Sequence, residues 1–292
     1  MFPDDLKKSV ELLLSNKNGV PVQITETRSI NGGSINEAYV LKTSTGKYFA
    51  KYNSAGAYPG MFEKEAAGLK ILSETNTFVI PEVIGTGKTG SYAFLVLDFI
   101  ESGTPDRNFW HDFGTKLADL HRSTAMYFGL ENDNYIGSLV QTNTQNPDFC
   151  SFFISQRIEP QLKIARNKGA FSQSDMRYFD SLFNLLHNII PVENPALVHG
   201  DLWSGNFMVT ADRSPCLIDP SVYFGHRESD IALTKLFGGF EPEFYTAYNE
   251  AWPLEKDWQK RLDILNLYPL LVHENLFGGG YARQILHIIR QF

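Results

Sequence analysis

Cysteine is scarce: 292 residues hold two, Cys150 and Cys216, with no CxxC pair. That excludes a disulfide framework and fits buried thiols in a reducing compartment. No apolar run approaches the roughly 18 residues that a membrane helix needs. No block of like charge and no internal repeat is visible. The opening "MFPDDLKKSV" is acidic and lacks an apolar h-region, so no signal peptide is expected. Basic side chains are few, 26 Lys and Arg against 33 Asp and Glu, for a net charge of −7. This argues against general nucleic-acid binding. The expectation is a soluble, cytoplasmic protein with no nucleic-acid or membrane partner, and a monomer by default.

What the chain does have is a core. Hydrophobic residues make up 43% and charged residues 20%, which excludes disorder. The length allows one large domain or two lobes. The first hundred residues read as strands: "VQITETRSI" (Val22–Ile30), "EAYVLKT" (Glu37–Thr43) and "KYFAKYN" (Lys47–Asn53), joined by "INGGSIN" and "STG" turns. Two more strands are expected near Glu82–Thr86 and Tyr92–Phe99. A short helix precedes the strands. "MFEKEAAGLKILSE" (Met61–Glu74) has Phe62, Ala66, Leu69 and Leu72 at helical spacing. After "ESGTPD" the character changes. Asn108–Ala125, Phe152–Ala165 and Ser172–Ile190 all look helical, with Pro160 in or kinking the second and Ser172 with Asp175 resembling a capping box. The reading is α+β: a β-rich N-lobe over 1–100 with a five-stranded sheet and a nucleotide-binding role, and a mainly helical C-lobe over 101–292. The ligand is expected between the lobes.

Chemistry concentrates in "LVHGDLWSGNFMV", Leu197 to Val209, where a loop rich in polar residues joins two apolar strands. Asp201 and Asn206 are five residues apart, and Asp219 follows Asp201 by 18, after the apolar "PCLI". If that segment pairs with "NFMVT", Asn206 and Asp219 flank one small hairpin. An amide oxygen and a carboxylate suit Mg²⁺, a hard ion that keeps several waters. Asp201 then stands apart to orient a hydroxyl, the division of labour that phosphoryl transfer uses. A polar turn built from Asp and Asn would show the same residues.

The N-lobe adds to this. The Gly32–Gly33–Ser34 turn can cradle phosphates with backbone N–H groups, although Gly-Gly hairpins are common. Lys51 sits in an apolar strand beside Phe49 and Ala50 and needs an anionic partner. Glu65 in the following helix is the candidate, with Glu63 the second choice. A strand lysine paired to a helix glutamate is the protein-kinase arrangement.

The motifs "INGGSIN", "MFEKEAAGLKIL", "HGDLWSGN" and "IDPSVYFGHRESDIAL" occur in order. With them the chain resembles the aminoglycoside phosphotransferase and choline-kinase side of the protein-kinase-like fold. Within it, the chain most resembles the fructosamine kinase (ketosamine-3-kinase) family. "NYIGSLVQTN" followed by "FFISQRIEPQL" is similar to that family rather than to the antibiotic kinases. The resemblance implies ATP and Mg²⁺ as cofactors, Asp201 as catalytic base, Asn206 and Asp219 as metal ligands, and Lys51 on ATP phosphates, held by Glu65. It also implies an adenine-binding hinge at Leu97, Asp98, Phe99 and Ile100. The acceptor it implies is a ketosamine (fructosamine or ribulosamine, free or on a glycated lysine), phosphorylated on a sugar hydroxyl as a repair step. The alternative is an aminoglycoside, choline or other amino-alcohol kinase of the same fold. A non-catalytic nucleotide-binding module is the rival from another class. Two departures stand out: Phe149 where the family usually has Trp before "FF", and Ser34 rather than Cys in the Gly turn.

Trp203 suits stacking on a sugar or on an amine-linked group; it would equally anchor the loop. His226 and Glu228 are candidates for lining the acceptor pocket, or for a solvated loop. His199 and His121 read as structural, and Asp230 as a cap on backbone N–H groups of the catalytic loop.

Overall fold

The computed structural model describes residues 2–30 and 35–292, so Gly32, Gly33 and Ser34 lie outside the described residues. The chain forms two compact units: Met1–Asp106 with Met208–Asp219, and Arg107–Phe207 with Pro220–Phe292. A division after residue 100 leaves out the twelve-residue segment Met208–Asp219, which makes its contacts with the sheet-bearing unit.

The first unit runs α1 (Asp4–Asn18), β1 (Ile24–Ile30), β2 (Glu37–Thr43), β3 (Lys47–Ser54), α2 (Met61–Glu74), β4 (Val83–Thr89) and β5 (Tyr92–Asp98). The strands form one sheet in the order β1-β2-β3-β5-β4, and each pairing is antiparallel. Period-2 alternation sorts β5 cleanly. Phe94 and Val96 pack with Leu6, Val10 and Leu14 of α1. Ala93, Leu95 and Leu97 pack with Phe62 and Leu69 of α2. Burying each of these large side chains contributes about 1.5–3 kcal/mol, so the sheet is held from both faces. Lys51 has the parity of Phe49, which belongs to the α2 face. That register aims its ammonium at α2.

The second unit begins with α3 (Phe109–His121), followed by β6 (Asn134–Ile136) and β7 (Leu139–Gln141), a two-stranded hairpin. Next come α4 (Phe149–Phe152), a π-helical turn over Phe153–Ile158 and α5 (Glu159–Asn167). Pro160 sits in the first turn of α5, which runs on directly from the π-helical turn, and the Gln156 carbonyl four residues back accepts instead from Thr142 Oγ1 at 3.3 Å. The Ser172/Asp175 capping box is present, with Ser172 N donating to Asp175 at 2.9 Å. It leads into α6 (Met176–Ile189).

Next are β8 (Ala196–Val198), β9 (Phe207–Val209), β10 (Pro215–Leu217) and β11 (Tyr223–Gly225). The two strands flanking the Asp201 loop are not partners: β8 pairs with β11, and β9 pairs with β10. The expected pairing of "PCLI" with "NFMV" is therefore present. α7 (Glu228–Leu236), α8 (Pro242–Ala251), α9 (Leu262–Leu265), α10 (Leu267–Phe277) and α11 (Tyr281–Ile289) complete the unit. α3 lies directly on α8 at Gly114, where a Cβ would fall 2.2 Å from the Phe244 carbonyl oxygen. Phe109, Phe113, Phe207, Phe240 and Phe244 form an aromatic core beside that contact. Among the described residues, no helix is long and apolar enough to cross a membrane.

Candidate active site

In the first unit the candidates converge on Lys51. It is 6% exposed. Its Nζ donates to Glu65 Oε1 at 2.9 Å and also to Asp219 Oδ1. Burial would drive the ammonium toward neutrality, but the Asp219 and Glu65 carboxylates outweigh it and hold Lys51 protonated. Glu63, the second choice of partner, pairs instead with Lys88 at 3.6 Å. Asp219 lies two residues past β10 in the left-handed region, at φ +53°. Aspartate tolerates that conformation better than most residues. Leu97 and Asp98 end β5, and the Asp98 carboxylate accepts from the Glu82 N–H. Phe99 and Ile100 follow directly.

In the second unit the loop after β8 is fixed by backbone capture. Asp230, at the start of α7, accepts from His199 N at 2.7 Å and from Gly200 N at 3.0 Å. His121 Nε2 lies 3.2 Å from the same carboxylate, and the Tyr248 hydroxyl holds His121 Nδ1 at 2.8 Å. Burial would raise Asp230, yet these donors keep it below the ordinary carboxylate range. Asp230 is thus the loop cap that the sequence suggests, and His121 is a packed support. Gly200 adopts φ +81°, and a Cβ there would lie 2.1 Å from the Ser221 carbonyl oxygen. No other residue fits without moving the loop. This hardware sets the position of Asp201. Its side chain accepts from Asn206 Nδ2 at 2.9 Å, and its own carbonyl takes a second bond from the same amide at 2.9 Å. With Nδ2 so engaged, the carbonyl oxygen is the atom the Asn206 side chain has left to offer. The Asp219 carboxylate of the first unit is likewise an oxygen donor, the type a hard ion such as Mg²⁺ takes. Asp201 and Gly200 also line a concavity within the second unit, with Ile136, Phe153, Tyr223, Tyr268 and His273 on its walls.

The fructosamine kinase family profile matches residues 6–292. The chain belongs to the fructosamine kinase family. It is 42% identical over 266 residues to a probable ketoamine kinase of Vibrio parahaemolyticus, covering 90% of each chain. To a protein-ribulosamine 3-kinase, chloroplastic, of Arabidopsis thaliana it is 37% identical, covering 94% of this chain and 84% of that one. A solved structure described as a putative fructosamine-3-kinase of Haemophilus somnus superposes with a TM-score of 0.88 at 30% identity, covering 97% of this chain and 96% of that one. An aminoglycoside phosphotransferase in ternary complex with AMP-PNP and hygromycin B gives a TM-score of 0.65 at 15% identity, covering 97% and 98%. The fold is therefore the two-lobed protein-kinase-like one.

Two motifs of this family member work as one object. Arg157, on the π-helical turn, is fully buried. Its guanidinium lies 3.9 Å from the Tyr223 ring centroid, and it donates to Thr142 O at 2.5 Å and Asn143 Oδ1 at 2.7 Å. Asn143 donates to Asn134 Oδ1 at 3.0 Å, as does Gln141 at 2.8 Å. Gln141 and Asn134 then hold the Ser221 and Val222 carbonyls at 3.0 and 2.9 Å. Ser221 N closes the chain on His199 O at 2.9 Å. "NYIGSLVQTN" and "FFISQRIEPQL" thus form a buried polar truss that reaches the Asp201 loop. The sequence shows that the two motifs co-occur, but not that they meet.

The acceptor-side candidates Trp203, His226 and Glu228 fare differently. His226 and Glu228 are both fully buried, so neither lines an acceptor pocket and neither sits in a solvated loop. Glu228 is clamped by Arg261 Nε at 2.7 Å and Nη2 at 2.5 Å. His226 packs on the Phe149 ring, and burial lowers its imidazole so that it stays neutral. Glu228→Gln is expected to leave Arg261 short of its counter-charge and to lower stability by about 3–5 kcal/mol. A thermal melt checks this, and an unchanged melt would remove the pair from the structural account. Trp203 is 39% exposed, with one edge against Phe237 at 6.3 Å between centroids. Tyr268 reaches the concavity, whereas Trp252 lies under Arg227 at 4.2 Å and Glu274 accepts from Ala282 N at 2.9 Å.

Proposed function

We propose that this chain is an ATP- and Mg²⁺-dependent kinase that phosphorylates a sugar hydroxyl of a ketosamine. Bound ATP supplies the phosphoryl group, and Mg²⁺ offsets the negative charge of its phosphates. Asp201 accepts the proton as the acceptor oxygen takes the phosphoryl group. Asn206 fixes the rotamer of that carboxylate, so the hydroxyl meets a pre-oriented acceptor. Lys51, held by Glu65, engages the ATP phosphates, and the segment Leu97–Ile100 reads the adenine through its backbone. Asn206 and Asp219 are the metal ligands. Gly32, Gly33 and Ser34 keep the phosphate-cradling role their sequence suggests. No covalent enzyme intermediate is needed.

The observation that carries the reading is the capture of the Asp201 loop by Asp230, with Asn206 bonded to Asp201. Family membership narrows the acceptor to ketosamines, either as a small molecule or on a glycated lysine of a protein. The test is a panel of fructose-lysine, ribulose-lysine, choline and kanamycin with Mg-ATP, read by mass for a phosphorylated product. Ketosamines turned over in preference to the others are expected. Turnover confined to choline or kanamycin would overturn the acceptor class, and none with any acceptor would leave a nucleotide-binding module.

Trp203 is assigned to the acceptor side because much of its face is open. Trp203→Ala is expected to raise acceptor KM about five-fold, since such stacking contributes about 1 kcal/mol. The KM for ATP should hold. Loss of ATP binding together with a lowered melting temperature would make Trp203 a loop anchor instead.

A further inference from the structure

A second cluster of chemistry-bearing side chains lies outside everything the phosphoryl transfer uses. Asp148 caps α4, accepting from Ser151 N at 2.7 Å, and Cys150 lies two residues on. His187 comes from the last turn of α6, and its Nε2 lies 3.0 Å from Asp148 Oδ2. One ligating atom from each of the three falls within 4.8 Å of the others. Helix capping and a surface His–Asp contact account for two of them. They do not account for the sulfur. Cys150 is a free thiol, 4% exposed and without a hydrogen bond among the described residues, yet it faces this pair.

We propose that Asp148, Cys150 and His187 form a zinc site. The donor set is one sulfur, one imidazole nitrogen and one carboxylate oxygen. Hard ions such as Mg²⁺ take oxygen alone, whereas a thiolate with an imidazole selects Zn²⁺. Three protein donors leave the fourth tetrahedral position to water. The Cys150 thiol releases its proton to solvent as the sulfur–metal bond forms. The Asp148 carboxylate is already oriented by the Ser151 N–H at 2.7 Å and by His187 Nε2 at 3.0 Å. The bound ion would tie the start of α4 to the end of α6.

The probe is Co²⁺, a spectroscopic stand-in for Zn²⁺, titrated into the whole chain in excess Mg²⁺. One equivalent should produce a thiolate-to-cobalt charge-transfer band that Zn²⁺ abolishes. The band should vanish in Cys150→Ser and persist in Cys216→Ser. Asp148→Asn keeps the helix cap, and His187→Gln alters a side chain that is 59% exposed. Each should weaken Co²⁺ binding by about tenfold or more. No thiolate band in the parent, or a band that survives Cys150→Ser, would overturn the site. Should Cys150→Ser fail to fold, unchanged Co²⁺ affinity in both His187→Gln and Asp148→Asn would overturn it equally. None of these readouts depends on turnover, so they stand apart from the kinase reading.

Discussion

Asp201→Asn is expected to lower kcat about 10²–10⁴-fold while Mg-ATP affinity holds. The range is that of general-base contributions. Asparagine keeps the size of aspartate, and its carbonyl oxygen can still accept from Asn206 Nδ2, now at 2.9 Å. The loop also keeps its Asp230 clamp on His199 N and Gly200 N. The backbone geometry should therefore survive, and only the charge and basicity at one carboxylate are removed. The acceptor hydroxyl then loses its proton acceptor as the phosphoryl group arrives. ATP affinity is assigned to Lys51, Asp219 and Asn206, none of which is altered. Steady-state kinetics beside nucleotide calorimetry on the same variant give both halves of the test. A kcat within a few-fold of the parent would remove Asp201 as the base.

How much of this was legible from residues alone depended on the range of the interaction. Met61–Glu74 could be bounded to the residue because helical spacing is local. The Lys51–Glu65 pair was legible because a lysine in an apolar strand needs an anion, and the start of the next helix offers Glu63 and Glu65. The Asp201, Asn206, Asp219 spacing was legible as chemistry. It did not reveal that the strands flanking the loop take different partners, since β8 pairs with β11 across a long separation. Arg157 lies within "FFISQRIEPQL", but nothing in that motif marks it as a core residue, because arginine is rarely buried without a carboxylate. Its charge is met by carbonyls and the faces of Tyr223, Phe152 and Tyr268, partners that only the fold assembles. His226 and Glu228 failed as acceptor contacts for the same reason. Glu193 beside Arg227 and Arg261 beside Glu228 neutralise charges that look solvated in "GHRESD". Long-range polar pairing has no period for a sequence pattern to display.

Asp219→Ala is expected to lower turnover by at least about 10²–10³-fold, the cost of removing one preorganised stabiliser of transition-state charge, and to weaken Mg-ATP binding as well. Two effects of the substitution must be separated. Asp219 sits at φ +53°, where alanine is strained by about 1–2 kcal/mol. Asp219→Asn, which tolerates that backbone, isolates the loss of charge and should be nearly as inactive. Asp219 also bonds Lys51, so either variant leaves that buried ammonium with Glu65, at 2.9 Å, as the one carboxylate beside it. One carboxylate still balances one cation, and a folded protein is expected from both. Mg²⁺ dependence distinguishes a metal ligand from a mere partner of Lys51. In the parent, ATP should bind more tightly with Mg²⁺ than without, and in both variants the difference should shrink. If Asp219 only restrains Lys51, the Mg²⁺ effect on ATP affinity will persist in the asparagine variant. Near-normal Mg-ATP affinity with normal turnover in that variant would remove Asp219 from the metal site.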